Sequence, residues 1–109
     1  MIVNLPLSQQ QAQKIIRDTV AAFNRVIFTR HAEERMIERD ISATDVFRVL
    51  SNVKVIKEPK FDKVNNTWKV AVEGISAGSV ITVAVAIEYY SQPQPMEDDC
   101  NSIILTVYG

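Results

Sequence analysis

The chain has 109 residues, 47% of them hydrophobic and 23% charged, with a formal net charge of −1, which fits one domain with a single core and argues against a strongly basic, nucleic-acid-steered surface. One cysteine, Cys100, and one histidine, His31, exclude an internal disulfide and a four-ligand zinc site, so neither a metal nor another cofactor is expected. The start lacks the basic-then-apolar layout of a signal peptide, and no apolar run approaches the ~20 residues of a membrane span; a cytoplasmic protein away from the membrane is the expectation.

The first helix is predicted over residues 9–24. Ser8 caps it, Gln11 completes a capping box, and Leu7 staples against Ala12. Ala12, Ile15, Ile16, Thr19, Val20 and Phe23 recur at helical spacing, so this helix packs and nothing in it asks for chemistry. Val26, Ile27 and Phe28 form a short apolar link, and Thr29 caps a second helix over residues 30–39. Asp40, Ile41 and Ser42 break it. Ser42 with Asp45 makes an acidic capping box for a third helix over residues 43–50, with Val46, Phe47, Val49 and Leu50 turned inward.

From residue 52 the apolar period becomes two. A strand over residues 53–57 ends at Pro59, which cannot donate to a ladder. Residues 60–63 lead to a turn at Asn65 and Asn66. Residues 68–73 alternate, with Trp68, Val70 and Val72 on one face, and residues 74–79 form a turn region. The nearly continuous apolar run 80–90 predicts the central strand. Residues 91–101, with two prolines and three consecutive acids, predict a solvated loop. In the last strand, residues 102–108, Ile104, Thr106 and Tyr108 are expected on one face and Ile103, Leu105 and Val107 on the other. The fold class is therefore α+β: three helices followed by a four-stranded antiparallel sheet in two layers.

Charge is uneven. Residues 1–57 hold nine Lys/Arg against six Asp/Glu, and residues 58–109 hold three against seven. On the second helix, His31, Arg35 and Glu38 lie within roughly 60° of one another, with Arg39 beside Arg35. Histidine moves a proton near neutral pH, arginine forks onto phosphate, and a carboxylate serves as base or orients its neighbours. The set suits metal-free phosphodiester cleavage. The same residues also suit surface ion pairs along a solvated helix whose core contacts are Ala32 and Met36.

His31-Ala32, Arg35-Met36, Glu38-Arg39, Ile41-Ser42 and Val49-Leu50, followed far downstream by Ile104-Leu105-Thr106-Val107-Tyr108, resemble the signature of the DUF4258 family, with Asp40 where that family usually has glycine. The resemblance covers residues 26–109 and leaves residues 1–25 as an N-terminal helical extension. It implies a RelE-like domain, the toxin of a toxin–antitoxin pair, cutting RNA without metal and held by a cognate antitoxin. The implied site is His31, Arg35 and Arg39 facing Thr106 and Tyr108, with Glu38 orienting an arginine; Lys69, on the polar side of its strand, is added as a substrate contact. Two rivals are carried: a non-catalytic interaction module or decayed toxin, held by a partner on the first helix or the loop over residues 91–101 or by a second copy through the first helix, and a gyrase-directed toxin.

Overall fold

Capping chemistry sets where the helices begin. The computed structural model describes residues 8–22, 25–52, 54–55, 59–76, 78–89 and 100–108. Ser8 and Gln11 exchange the two bonds of a capping box at the start of α1 (Gln9–Ala21), Thr29 caps α2 (Arg30–Glu38), and Ser42 with Asp45 boxes α3 (Ala43–Ser51). The α2–α3 break is a Schellman stop: Ile41 N donates to Met36 O at 2.8 Å and Asp40 N to Ile37 O at 3.3 Å. Asp40 sits at φ 55°, the left-handed position that such a stop requires. Leu7 and Phe23, predicted to pack with α1, lie outside the described residues.

The strands are β1 (Val26–Phe28), β2 (Lys54–Val55), β3 (Lys60–Asp62), β4 (Thr67–Ser76), β5 (Ser79–Tyr89) and β6 (Cys100–Tyr108). They form one six-stranded sheet in the order β1-β6-β5-β4-β2, with β3 also on β4. This corrects the four-stranded, all-antiparallel expectation. The apolar link at Val26–Phe28 is a strand, parallel to β6 from Val26↔Ser102 to Phe28↔Ile104; three residues are too few to show a period. The predicted turn over 74–79 is also shorter, because β4 runs on to Ser76 and β5 starts at Ser79. Gly74 stays in the strand because α3 lies against it: a Cβ there would stand 3.2 Å from Val49 Cγ1 and 3.3 Å from Val49 Cα. The predicted loop ends earlier too, with Cys100 and Asn101 already in β6; residues 91–99 lie outside the described residues.

All three helices pack on one face. Ala12, Ile15, Ile16, Ala32, Val46, Val49 and Leu50 close a core with Val70, Val72, Val83, Val85, Ile87, Ile104 and Val107 of the sheet. Thr19 of α1 and Ser102 of β6 share a buried hydroxyl pair at 2.6 Å. Thr19 gives its single hydrogen to Ile16 O at 2.8 Å, so Ser102 is the donor to Thr19. The N-terminal helix is thus built into the core. Among the described residues, no helix covers the opposite face of the sheet, where Ile27, Ile75, Val80 and Tyr108 are exposed.

β6 is bulged. Its register with β5 runs Ile104↔Val85 and then Thr106↔Ala84, which leaves Leu105 unpaired. The extra residue returns Val107 to the core face beside Ile104, and both are fully buried. Thr106 and Tyr108 therefore lie on the helix-free face. The expected grouping of Ile104 with Thr106 and Tyr108 is corrected for that reason.

Candidate functional site

β1 stops pairing at Ile104, and α2 takes over the edge of β6 from there. Thr29 N donates to Ile104 O at 3.2 Å, and Thr29 Oγ1 shares its single hydrogen between Ile104 O at 2.8 Å and, more weakly, Leu105 O at 3.3 Å. The same hydroxyl accepts from Ala32 N at 3.1 Å, so one side chain caps α2 and ties it to the bulge. A local cap signal predicts the first of these roles. No sequence signal predicts the second.

Which way the polar residues of α2 look follows from two anchors. Ala32 is fully buried, and Met36 lines a groove with Ile41 and Asp45 on the α3 side. At roughly 100° per residue, His31 and Arg35 fall on the other side of Ala32 from Met36. Because α2 packs on β6 and α3 on β4, that side of α2 is the one turned away from α3. Glu38 belongs to the same side, and Arg35 Nη1 donates to Glu38 Oε2 at 3.2 Å. The side chains of His31, Arg39 and Tyr108 have no hydrogen-bond or ion-pair partner among the described residues.

Arg39 separates from this group. It lines a crevice of about 280 Å³ with Asp45, Ser76, Ser79 and Ile81, at the β4–β5 end of the sheet. That crevice borders a fastened cluster. Asp45 accepts from Ser76 Oγ at 2.5 Å and from Ser42 N and Oγ, both at 2.9 Å, while Arg48 Nη1 donates to Ser76 Oγ at 2.6 Å. The Ser76 bond first, and then the Ser42 bonds, hold the Asp45 carboxyl down at about 2. This cluster clips α3 to the end of β4. Sequence reasoning placed Asp45 as a cap and missed the clip, since Ser76 is far along the chain.

On the helix-free face, Lys69 stands opposite Ala86 and Thr106 opposite Ala84, with Tyr108 opposite Thr82. With strands ~4.8 Å apart and ~3.4 Å of rise per residue, the backbone positions of Lys69 and Tyr108 are roughly 17 Å apart. They share a face but do not converge. Lys69 Nζ is also taken up by Asp62 Oδ2 at 3.4 Å. Asp62 itself accepts from Asn65 Nδ2 at 2.8 Å and from the Val64 and Asn65 amides, and these bonds, led by Asn65, lower its pKa. Beside Lys69 lies a groove of about 330 Å³ whose lining includes Thr67, Ala86, Glu88, Ile103 and Leu105. Neither spacing nor the family resemblance marks Thr67, Glu88 or Leu105 as part of a site. For Glu88 a signal exists, as the one charged residue in the apolar run of β5.

The predicted set is thus split into three. His31, Arg35 and Glu38 share one face of α2, the helix that packs on β6, Arg39 lies at the hairpin crevice, and Lys69, Thr106 and Tyr108 occupy the far face. The bulge tied by Thr29 is where α2 and the far face meet. No helix among the described residues is long and apolar enough to cross a membrane. The family model for DUF4258, described as a domain of unknown function, matches residues 28–109. No curated protein and no solved structure matches the chain.

Proposed function

The chain belongs to the DUF4258 family, and from that membership we propose that it is a RelE-like toxin domain that cuts RNA without a metal ion. The observation that carries this is the polar face of α2: the only histidine, exposed and without a side-chain partner among the described residues, shares a helix face with Arg35 on the helix whose cap, Thr29, is tied to β6 at Ile104 and Leu105. In the cleavage, the ribose 2′-oxygen attacks the adjacent phosphorus and the bond to the 5′-oxygen breaks, leaving a 2′,3′-cyclic phosphate. His31 takes the 2′-hydroxyl proton or returns one to the departing 5′-oxygen. Arg35, oriented by Glu38, holds the phosphate and stabilises its developing charge. Arg39 guides the backbone from the hairpin end. Tyr108, half-exposed on the far face, stacks on a neighbouring base, with Thr106 beside it and Lys69 attracting the strand once it leaves Asp62.

Purified protein is expected to cut RNA in excess chelator, free or on the ribosome. His31→Ala should abolish this while leaving the thermal midpoint within a degree or two, since the imidazole is exposed. Wild-type protein that leaves both RNAs intact refutes the proposal.

The separation of Lys69, Thr106 and Tyr108 from His31 favours a second reading, a non-catalytic interaction module with a cognate antitoxin or other protein on the helix-free face. That reading expects a stable complex and no growth defect on induced expression. A gyrase-directed toxin would instead give DNA damage with messenger RNA intact, so growth, RNA and DNA readouts taken together separate the three.

A further inference from the structure

We propose that the groove on the helix-free face of the sheet is a nucleobase subsite that takes guanine, an inference that rests on the RNA-cleaving reading of α2. Thr67, Ala86, Ile103 and Leu105 line it together with Glu88 and Lys69. The volume, about 330 Å³, lies at the small end of ligand sites.

Three observations point to a flat, polar-edged ligand. Thr67 is only 4% exposed, and its Oγ1 is the one buried side-chain polar atom without a hydrogen-bond partner among the described residues. A buried hydroxyl left unpaired is costly, and a turn of the Thr67 side chain toward a ligand in the groove removes that cost. Glu88 accepts from Asn101 Nδ2 at 3.3 Å through Oε1 only, so Oε2 has no partner among the described residues. Ile103, Leu105 and Ala86 supply the apolar surface that a ring needs on its faces. Guanine alone among the four bases offers two adjacent N–H donors, N1–H and N2–H, on one edge. A carboxylate accepts both, whereas adenine and cytosine offer it one amino group and uracil one imide.

The groove reaches the bulge to which the cap of α2 is tied. Leu105 of its lining is the bulge residue whose carbonyl accepts from Thr29 Oγ1, two residues before His31 in the chain. Bulges commonly re-aim side chains beside functional sites, and this one turns both Leu105 and Thr106 to the helix-free face.

The test is a titration of isotope-labelled His31→Ala protein with guanosine, adenosine, cytidine and uridine 5′-monophosphates, followed by methyl and amide NMR. The guanosine nucleotide should shift the Ile103 and Leu105 methyl signals and bind at least about tenfold tighter than the adenosine nucleotide. Glu88→Gln should erase that preference, and Thr67→Val should weaken the guanosine nucleotide; both are nearly isosteric, and their amide spectra report whether the fold is kept. Absence of methyl shifts at millimolar nucleotide, shifts centred elsewhere, or a preference that Glu88→Gln leaves intact overturns the subsite. Cleavage of RNA by wild type is measured in parallel. Binding in the groove without cleavage overturns the ribonuclease reading alone, and cleavage without groove binding overturns the subsite alone.

Discussion

Replacing Asp40 by glycine should stabilise this domain. Asp40 closes the Schellman stop of α2 at φ 55°. For an ordinary L-residue that conformation costs ~1–2 kcal/mol, and aspartate reduces but does not remove the cost. Its carboxylate also lies one residue beyond the C-cap Arg39, where the helix dipole is negative, a further ~0.3–1 kcal/mol against it. Two effects oppose the gain. Glycine gives up roughly 0.5–1 kcal/mol of backbone entropy on folding, and the same carboxylate sits favourably just ahead of the α3 N-cap, Ser42. The net for Asp40→Gly is a gain of about 0.5–1 kcal/mol, or roughly 2–6 °C in thermal midpoint for a domain of this size. Asp40→Ala keeps the Cβ and loses the local hydrogen-bonding capacity of aspartate, so it should fall by about 1 kcal/mol. Asp40→Asn separates charge from conformation and should lie between wild type and the glycine variant. Far-UV circular dichroism with heat and with urea reads all three. A glycine variant no more stable than wild type, or an alanine variant that loses nothing, refutes the assignment of strain to this residue.

The remaining expectations concern the core and its clips. Thr19→Val leaves the fully buried Ser102 hydroxyl without its partner and should cost ~1–3 kcal/mol, part of which Thr19→Val with Ser102→Ala recovers; a strictly additive double mutant would show the pair is uncoupled. Gly74→Ala drives a Cβ to 3.2 Å from Val49 Cγ1 and should cost ~1–3 kcal/mol in urea denaturation, a loss that Val49→Ala in the same chain cannot relieve fully because the Val49 Cα is also at 3.3 Å. Asp45 has a folded pKa of about 2 against an ordinary 3.8, so its contribution is complete above the unfolded value and is lost as pH falls from about 4 through 2. The stability gap between wild type and Asp45→Asn should therefore be widest above pH ~4 and close toward pH ~2; a gap that grows with acid contradicts the hydrogen-bonded carboxylate.

What the sequence revealed and what it hid divide along range. Caps, boxes and the α2–α3 stop are decided by residues within five positions of one another, and Ser8, Thr29, Ser42 and Asp40 announce them. The alternation of β4 and the apolar run of β5 are equally local. The parallel strand at Val26–Phe28 could not be read, because its partner lies across nearly the whole chain. The bulge at Leu105 was hidden for a different reason. A stretch of alternating residues carries no mark of where one residue drops out of register, yet that slip decides the face of Thr106 and Tyr108. The polar stripe of α2 was legible from helical spacing. Its relation to the last strand depended on the one position that spacing could not supply.

The parallel pairing of β1 with β6 also sets an order of assembly. A strand near the start of the domain waits for the last nine residues of the sheet, and Thr29 waits for the carbonyls of Ile104 and Leu105. Closing so long a loop is slow, and it comes after the local helices and the β4–β5 hairpin have formed. On a ribosome the packing of the helix that carries His31 and Arg35 therefore cannot be finished until β6 has left the exit tunnel. A nascent chain that still lacks β6 holds every residue of the helix and none of the strand it leans on.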